Sequence, residues 1–422
     1  MILGNSLERI NRGKMVKETI WSFLAKGTTF LLVYAINIFL ARFLGVEKFG
    51  LWSFFFSTLS IILLFSYWGI NTSAMKYVAE HNKTEKLSSV LKSSVKLRIL
   101  LSLVFSIVLL ILYKPLAMLI DRPEMENLFL LAVPLIFLSG LSEYLKAVFI
   151  GLHRNKYNLI INFIEYGLKL IFAILFLMFS ASLASVVNSY SLALLITATV
   201  GFCLLYFNFY RGAGPSNENF DKEIFRYSVP LFFVSVGFWI ATSLDTVMIG
   251  FLRGDYEVGI YSVAKELITN IPHIAIAISM GVMPLFANMN MENKETLKKL
   301  FYKLLKINTV VFGSITSLII FFSRFFIPLI YGENYAESVL PLRLLMPYLI
   351  MFSYSIFLSS LLDYRGLAKK RAVNLSISII LNIILNFVLI PRYGASGAAI
   401  ATSISYVPYL FLNWIEVKKV LV

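Results

Sequence analysis

Twelve apolar runs follow one another along this chain, near residues 19–41, 49–72, 98–120, 127–150, 157–180, 183–208, 226–252, 258–288, 301–330, 338–363, 372–391 and 395–416. Nothing else in the sequence restricts the fold so strongly. At about 1.5 Å of rise per residue, each run is long enough to cross the hydrocarbon core as a helix. Lipid offers no water to an open backbone, so continuous apolar runs must satisfy their amides within a helix. The expected fold class is all-α integral membrane, with twelve transmembrane helices. Pro272 and Pro284 in the eighth run, and Pro341 and Pro347 in the tenth, predict bent helices.

Composition agrees where it bears on the class. Hydrophobic residues make up 59% of the 422 residues and charged residues only 14%, which is too few to hydrate a soluble chain of this length. A net charge of +15 raises the question of nucleic acid. The basic residues lie in short loops between apolar runs and form no single stripe, so no nucleic acid is expected; membrane lipids, the anionic leaflet above all, are the expected counter-charge. Cys203 is the one cysteine and His81, His153 and His273 are scattered, so neither a disulfide framework nor a cysteine–histidine metal cluster is expected. Residues 1–18 are polar, with no small-residue cleavage site beyond them, and read as a cytoplasmic surface segment.

Lysine and arginine set the orientation. Alternate loops carry 26 basic residues on one side, Arg98 among them, and 6 on the other. Positive loops face the cytoplasm, which places the protein in the cell membrane with both termini inside. The longest loop, about 73–97, has the lysine spacing of an amphipathic surface helix.

The halves repeat. Gly50-Leu-Trp-Ser53 returns as Gly259-Ile-Tyr-Ser262, 209 residues on; Asn82-Lys83 returns as Asn293-Lys294, 211 on; Gly151-Leu152 as Gly366-Leu367, 215 on; Ser189-Tyr190 as Ser405-Tyr406, 216 on. A duplicated six-helix unit leaves such a drift, and an even number of helices makes the repeat parallel. The expected domains are a cytoplasmic segment 1–18, an N-lobe 19–208, a Gly/Pro/Ser-containing linker 209–225 and a C-lobe 226–422.

No loop is large enough to hold a catalytic apparatus, and no phosphate-binding glycine loop, paired histidine ligands or nucleophile triad is present. The chain reads as a carrier and not as an enzyme. A membrane glycosyltransferase or polymerase would carry a sizeable loop with carboxylates. The polar residues inside the runs are then the candidate site. Lys26 in the first run either snorkels, pairs with an acid, or lines a cavity for an anion. Glu165 and Lys169 share a helix face, where they either neutralise each other or line that cavity. Asn374, Ser378, Asn382 and Asn386 form a stripe that serves as interhelical glue or as cavity lining. Asp245 is alone on its run and calls for a cationic partner, while Lys265 and Glu266 lie near the outer end of the eighth run. Lys146, Arg324 and Arg343 near span ends are expected to snorkel.

The stretches Ala41-Arg-Phe-Leu-Gly-Val-Glu-Lys-Phe-Gly-Leu-Trp-Ser53, Asp245-Thr-Val-Met-Ile-Gly250 with Val258-Gly-Ile-Tyr-Ser-Val-Ala264, and Pro391-Arg-Tyr-Gly-Ala-Ser-Gly-Ala-Ala-Ile-Ala-Thr402 carry a resemblance. In this order and spacing the chain resembles the polysaccharide biosynthesis flippases, in the superfamily that also holds the multidrug and toxic-compound extruders and the lipid II flippases. The resemblance implies two six-helix lobes around a central cavity, alternating access, and export of a polyprenyl-diphosphate-linked oligosaccharide for surface polysaccharide biosynthesis. It implies cavity cations that hold the diphosphate, and Lys26 matches that pattern by its place in the first helix.

Lys26, Lys169, Lys265, Asn382 and Asn386 are therefore the candidate substrate-binding residues. Asp245, Glu165 and Glu266 are the candidates for ion coupling, by H⁺ or Na⁺, or for pairing. No cofactor and no metal site are expected. Glycan polymerase or glycosyltransferase machinery is the expected protein partner. A cation-coupled multidrug antiporter of the same fold is the alternative, and it should line its cavity with acids instead of lysines.

Overall fold

The computed structural model describes residues 2–211, 218–271 and 294–421. These residues form α1 (Ile2–Tyr67), α2 (Ile70–His81), α3 (Leu87–Leu119), α4 (Met125–Leu131), α5 (Val133–Gly151), α6 (Asn155–Phe179), α7 (Leu183–Leu205), α8 (Asp221–Leu252), α9 (Asp255–Asn270), α10 (Lys294–Tyr331), α11 (Val339–Leu344), α12 (Met346–Tyr364) and α13 (Ala368–Leu421). A π turn, Tyr206–Tyr210, ends α7, and a 3₁₀ turn, Glu333–Ser338, precedes α11. No strand is present among the described residues.

Eight of these helices are long and apolar enough to cross a membrane, or nine if the two halves of α8 count as one span. The twelve runs fit into fewer helices because two helices each hold two runs. The apolar part of α1 has 51 residues and α13 has 54. At 1.5 Å per residue each is more than twice a bilayer long. Each folds at a glycine with positive φ, α1 at Gly45 (φ 76°) and α13 at Gly394 (φ 54°). The eighth run begins as α9; its continuation, with Pro272, His273 and Pro284, lies outside the described residues, as do residues 212–217 of the linker.

The duplication is legible in the backbone. Gly45 (φ 76°, ψ 173°) and Gly254 (φ 92°, ψ −175°) break the chain in the same conformation, 209 residues apart. Side chains avoid that region, so glycine stands at both places. The fourth and tenth runs each split one residue before a proline-led helix, at Ala132 (φ −81°, ψ −6°) ahead of Pro134 and at Leu345 (φ −84°, ψ −9°) ahead of Pro347. One register needs correction. His153 and Gly366 share a positive φ of 52° and 73° and the same paired C-terminal hydrogen bonds. The offset there is 213, and the identical Gly-Leu dipeptides that give 215 are not equivalent. The turn geometry decides the register, and histidine occupies the left-handed position that glycine holds in the other copy.

The chain divides into two compact units, Met1–Leu40 with Phe55–Trp239, and Ala41–Phe54 with Ile240–Val422. In the first unit Ala74, Val78, Leu87, Val90 and Leu91 are buried with Tyr144, Leu145, Val148 and Phe149. The stretch 73–97 is therefore no surface helix. It is α2 and the start of α3, and its apolar positions join the core while its lysines stay outside. In the second unit, a Cβ on Gly50 would sit 1.8 Å from the Asp255 carbonyl oxygen, and one on Gly259 would sit 2.3 Å from that of Val46. The two copies of the repeated motif thus cross each other reciprocally, and the crossing is close enough to exclude any side chain.

Candidate functional site

Among the described residues each unit holds one buried acid inside its helices, and the two acids are satisfied in different ways. In the first unit α6 carries Glu165, which is 2% exposed. Lys169, one turn on, places Nζ 2.6 Å from Glu165 Oε1. Lys146 on α5 reaches the other oxygen at 2.9 Å, and also Glu143 Oε1 at 2.7 Å. Ser142 Oγ donates to Glu165 Oε2 as well. Two carboxylates thus face two ammonium groups, and the cluster is formally neutral. Tyr166 lies 5.1 Å from Lys146 Nζ and 5.0 Å from Lys169 Nζ, its ring adding a face for both cations. A buried charge is tolerated when it is paired and hydrogen-bonded like this. Lys146, expected to snorkel, is buried instead, because Glu143 and Glu165 approach it from two helices.

Arg98 is a second correction. Counted with the cytoplasmic loop on its charge, it lies inside α3 and is fully buried. Its Nη2 donates to the Ser66 carbonyl at 2.6 Å and to Ser66 Oγ at 2.8 Å, and its Nε donates to Ser102 Oγ at 3.1 Å. The guanidinium has no carboxylate partner among the described residues, and Gly140 leaves it the space it needs: a Cβ there would lie 3.0 Å from Nη2 and 2.3 Å from Ser102 Oγ.

In the second unit α8 carries Asp245, 5% exposed. Asn386 Nδ2 of α13 donates to Oδ1 at 2.7 Å. Tyr261 Oη of α9 and Thr402 Oγ1 of α13 each donate to Oδ2 at 2.9 Å. Asn386 also donates to Asn382 Oδ1 at 3.0 Å, and its own Oδ1 is buried with no hydrogen-bond partner. The expected cationic partner is thus replaced by three neutral donors, which satisfy the carboxylate's lone pairs but leave its charge in place. Lys265 donates from Nζ to Thr246 Oγ1 at 3.0 Å, beside Asp245 in sequence, and forms no ion pair with a described residue.

The sequence-derived candidates divide accordingly. Asp245, Asn382 and Asn386 come together, with Lys265 one residue's partner away. Glu165 and Lys169 are bonded to each other. Lys26 belongs to neither network: it is exposed on α1 and makes no ion pair or hydrogen bond with a described residue. Glu266 is half-buried next to Lys265. The rest of the asparagine stripe ties together the two halves of α13 on either side of Gly394, with Asn374 donating to Asn413 at 2.9 Å and Ser378 to the Ser405 carbonyl at 2.6 Å. Sequence reasoning missed Lys146, Glu143, Arg98, Tyr261 and Thr402. For Lys146 and Arg98 a signal existed. Ser142 and Glu143 lie four and three residues before Lys146, on its own face, and Ser94, Arg98, Ser102 and Ser106 recur every four residues. No group of three or more histidine, cysteine or acidic residues that could hold a metal ion occurs among the described residues.

Residues 15–290 match the family described as polysaccharide biosynthesis protein, and residues 230–388 match the MatE family. An uncharacterized membrane protein of Methanocaldococcus jannaschii is 27% identical over 96% of this chain and 98% of its own length. The capsular polysaccharide biosynthesis protein CapF of Staphylococcus aureus is 26% identical over 69% of this chain and 75% of its own. Among solved structures, an inward-facing multidrug-resistance MATE transporter of the MOP superfamily gives a TM-score of 0.72 at 17% identity, covering 95% of this chain and 98% of that one. The lipid II flippase MurJ, in an inward closed conformation, gives 0.70 at 19% identity, covering 94% and 87%. The chain thus has the all-α, twelve-helix, two-lobe fold of these transporters and is a multi-pass membrane protein. It belongs to the polysaccharide biosynthesis protein family.

Proposed function

We propose that this protein exports a polyprenyl-diphosphate-linked oligosaccharide from the cytoplasmic to the outer leaflet of the cell membrane, by alternating access, for surface polysaccharide biosynthesis. The carrying observation is that Lys26 and Lys265 are intramembrane cations without a carboxylate among the described residues. A diphosphate accepts charge-assisted hydrogen bonds from such ammonium groups. The sugar head needs a hydrated path, and the polyprenyl tail stays in lipid. With both termini cytoplasmic, moving about two negative charges outward gains on the order of 4–5 kcal/mol per 100 mV of interior-negative potential. Family and fold are those of transporters, and we assign no catalytic residue; glycosyltransferases supply the substrate and polymerase machinery consumes it. Lys169, held by Glu165, serves the substrate only if that pair opens.

Asp245 is the coupling acid in this reading. Its carboxylate is buried beside Asn386 Oδ1, an acceptor with no hydrogen-bond partner, so oxygen ligands for a cation such as Na⁺ stand together there. Glu266 is the second acid near Lys265. The same cluster at Asp245, together with the match of residues 230–388 to the MatE family, favours a second reading, a cation-coupled drug antiporter. Proteoliposomes separate the two. The flippase reading expects translocation of a short-chain polyprenyl-diphosphate disaccharide that Lys26→Ala slows at least tenfold. Efflux of a cationic dye with no movement of the disaccharide would establish the antiporter.

A further inference from the structure

The first unit has a groove that neither charged cluster uses. It lies between α3 and the end of α7, has a volume of about 420 Å³, and is walled by Val95, Ile99, Phe202 and Leu205. Lys92 and Lys96, one helical turn apart, line the same groove. The π turn that follows α7 widens its last turn: the Arg211 amide bonds back five residues to the Tyr206 carbonyl at 3.0 Å, and Tyr206 and Tyr210 stack at 5.9 Å along the groove. Such turns concentrate at functional sites. Below the lysines α3 presents Ile99, Leu100 and Leu103, which are 40%, 52% and 48% exposed. The trough therefore opens onto the lipid-facing side of α3.

Charge sits at one end only. Lys92 is exposed and makes no ion pair or hydrogen bond with a described residue. Lys96 is paired with Asp221 at 2.7 Å, yet its side chain remains 67% exposed. Glu218 is turned to Lys86 at 2.8 Å. The groove mouth thus keeps one unopposed ammonium group and a second whose remaining donors are open to solvent. Both lie at the start of α3, on the lysine-rich side that the charge asymmetry assigns to the cytoplasm, where the leaflet is anionic.

We propose that this groove holds an anionic glycerophospholipid of the inner leaflet. An acyl chain lies along Val95, Ile99 and Phe202, and the phosphate accepts hydrogen bonds from Lys92 and from Lys96. Tyr206, half exposed, stands at the depth of the headgroup, where amphipathic rings prefer to lie. Apolar walls capped by cations match an anionic lipid, and they match neither a free phosphate, which has no use for the trough, nor a zwitterionic lipid, whose own ammonium opposes the lysines.

The test is native mass spectrometry of the delipidated full-length protein, titrated with phosphatidylglycerol and, in parallel, with phosphatidylcholine of the same chains. The wild-type protein should retain one phosphatidylglycerol in preference to phosphatidylcholine. Lys92→Ala with Lys96→Ala should weaken that retention about tenfold or more, and Lys92→Arg with Lys96→Arg should keep it. Ile99→Trp should expel the lipid with both lysines intact. Lys92 is exposed, so Lys92→Ala alone, checked by an unchanged unfolding temperature, reads the headgroup contact free of any folding defect, and it should weaken retention severalfold. Equal retention by wild type and lysine variants, equal binding of the two lipids, or displacement of phosphatidylglycerol by a polyprenyl phosphate would each overturn the assignment.

Discussion

The two buried acids differ in what surrounds them, and the difference separates structure from coupling. Glu165 faces Lys146 and Lys169 in a cluster whose charges cancel. Asp245 faces a phenol, an amide and a hydroxyl, and its charge is unopposed by any ion pair among the described residues. The repeat explains how one ancestral scaffold holds both. At the offset of 213 fixed by the His153 and Gly366 turns, Glu165 corresponds to Ser378 and Lys169 to Asn382. Duplication kept a polar stripe on one face of this helix, charged in the first copy and uncharged in the second. A neutralised cluster has little to gain from a passing ion. A lone carboxylate among neutral donors gains a full charge partner from one.

Removing Glu165 should give the largest effect. Glu165→Leu strands Lys169, and half-strands Lys146, inside the first unit, a loss of about 3–5 kcal/mol in stability that thermal unfolding in detergent will register. Glu165→Leu combined with Lys169→Leu should restore most of it, since Lys146 keeps Glu143. If the double variant is also transport-competent, the first cluster is structural; if it folds and does not transport, the comparison breaks. Asp245→Asn should be milder in stability, about 1–3 kcal/mol, because its partners are neutral and stay partly satisfied. Its larger consequence should be transport that no longer responds to an imposed Na⁺ or H⁺ gradient. Asn386→Ala removes one bond to that carboxylate and should lower stability by about 1.5–3 kcal/mol while leaving a weakened ion response.

Gly140→Ala sharpens the picture around Arg98. The added methyl group would press on Ser102 Oγ and the guanidinium, and overpacking of this kind costs about 1–3 kcal/mol. Lys265→Met should give the smallest change in stability, since it removes one hydrogen bond to Thr246. A pronounced loss of transport with a near-native unfolding temperature would mark Lys265 as a substrate contact.

How far the sequence reached follows from which signals are local. Helix number and the repeat are written in run lengths and in recurring glycines, because bilayer thickness and φ/ψ sterics act within a few residues. Gly45 and Gly254 could be matched before any coordinate. The stretch 73–97 was misread because lysine spacing reports the wet face of a helix and says nothing about Ala74, Val78 and Val90 on the other. Arg98 was misplaced because hydropathy counts every arginine as water-facing, whereas Ser66 of α1 and Ser102, one turn on, let this one stay dry. The partners of Asp245 come from α9 and from two distant places in α13, up to 157 residues away. Only packing brings them together, so the sequence exposed the lone acid and hid its neutral shell.

The account stands or falls on whether the unpaired lysines hold a diphosphate. The direct measurement is equilibrium binding of a polyprenyl-diphosphate sugar to the purified full-length protein, comparing wild type, the Lys26→Ala/Lys265→Ala variant and the Glu165→Leu/Lys169→Leu variant. The account predicts binding weakened at least tenfold in the first variant and near wild-type binding in the second. Undiminished binding without Lys26 and Lys265 would contradict it.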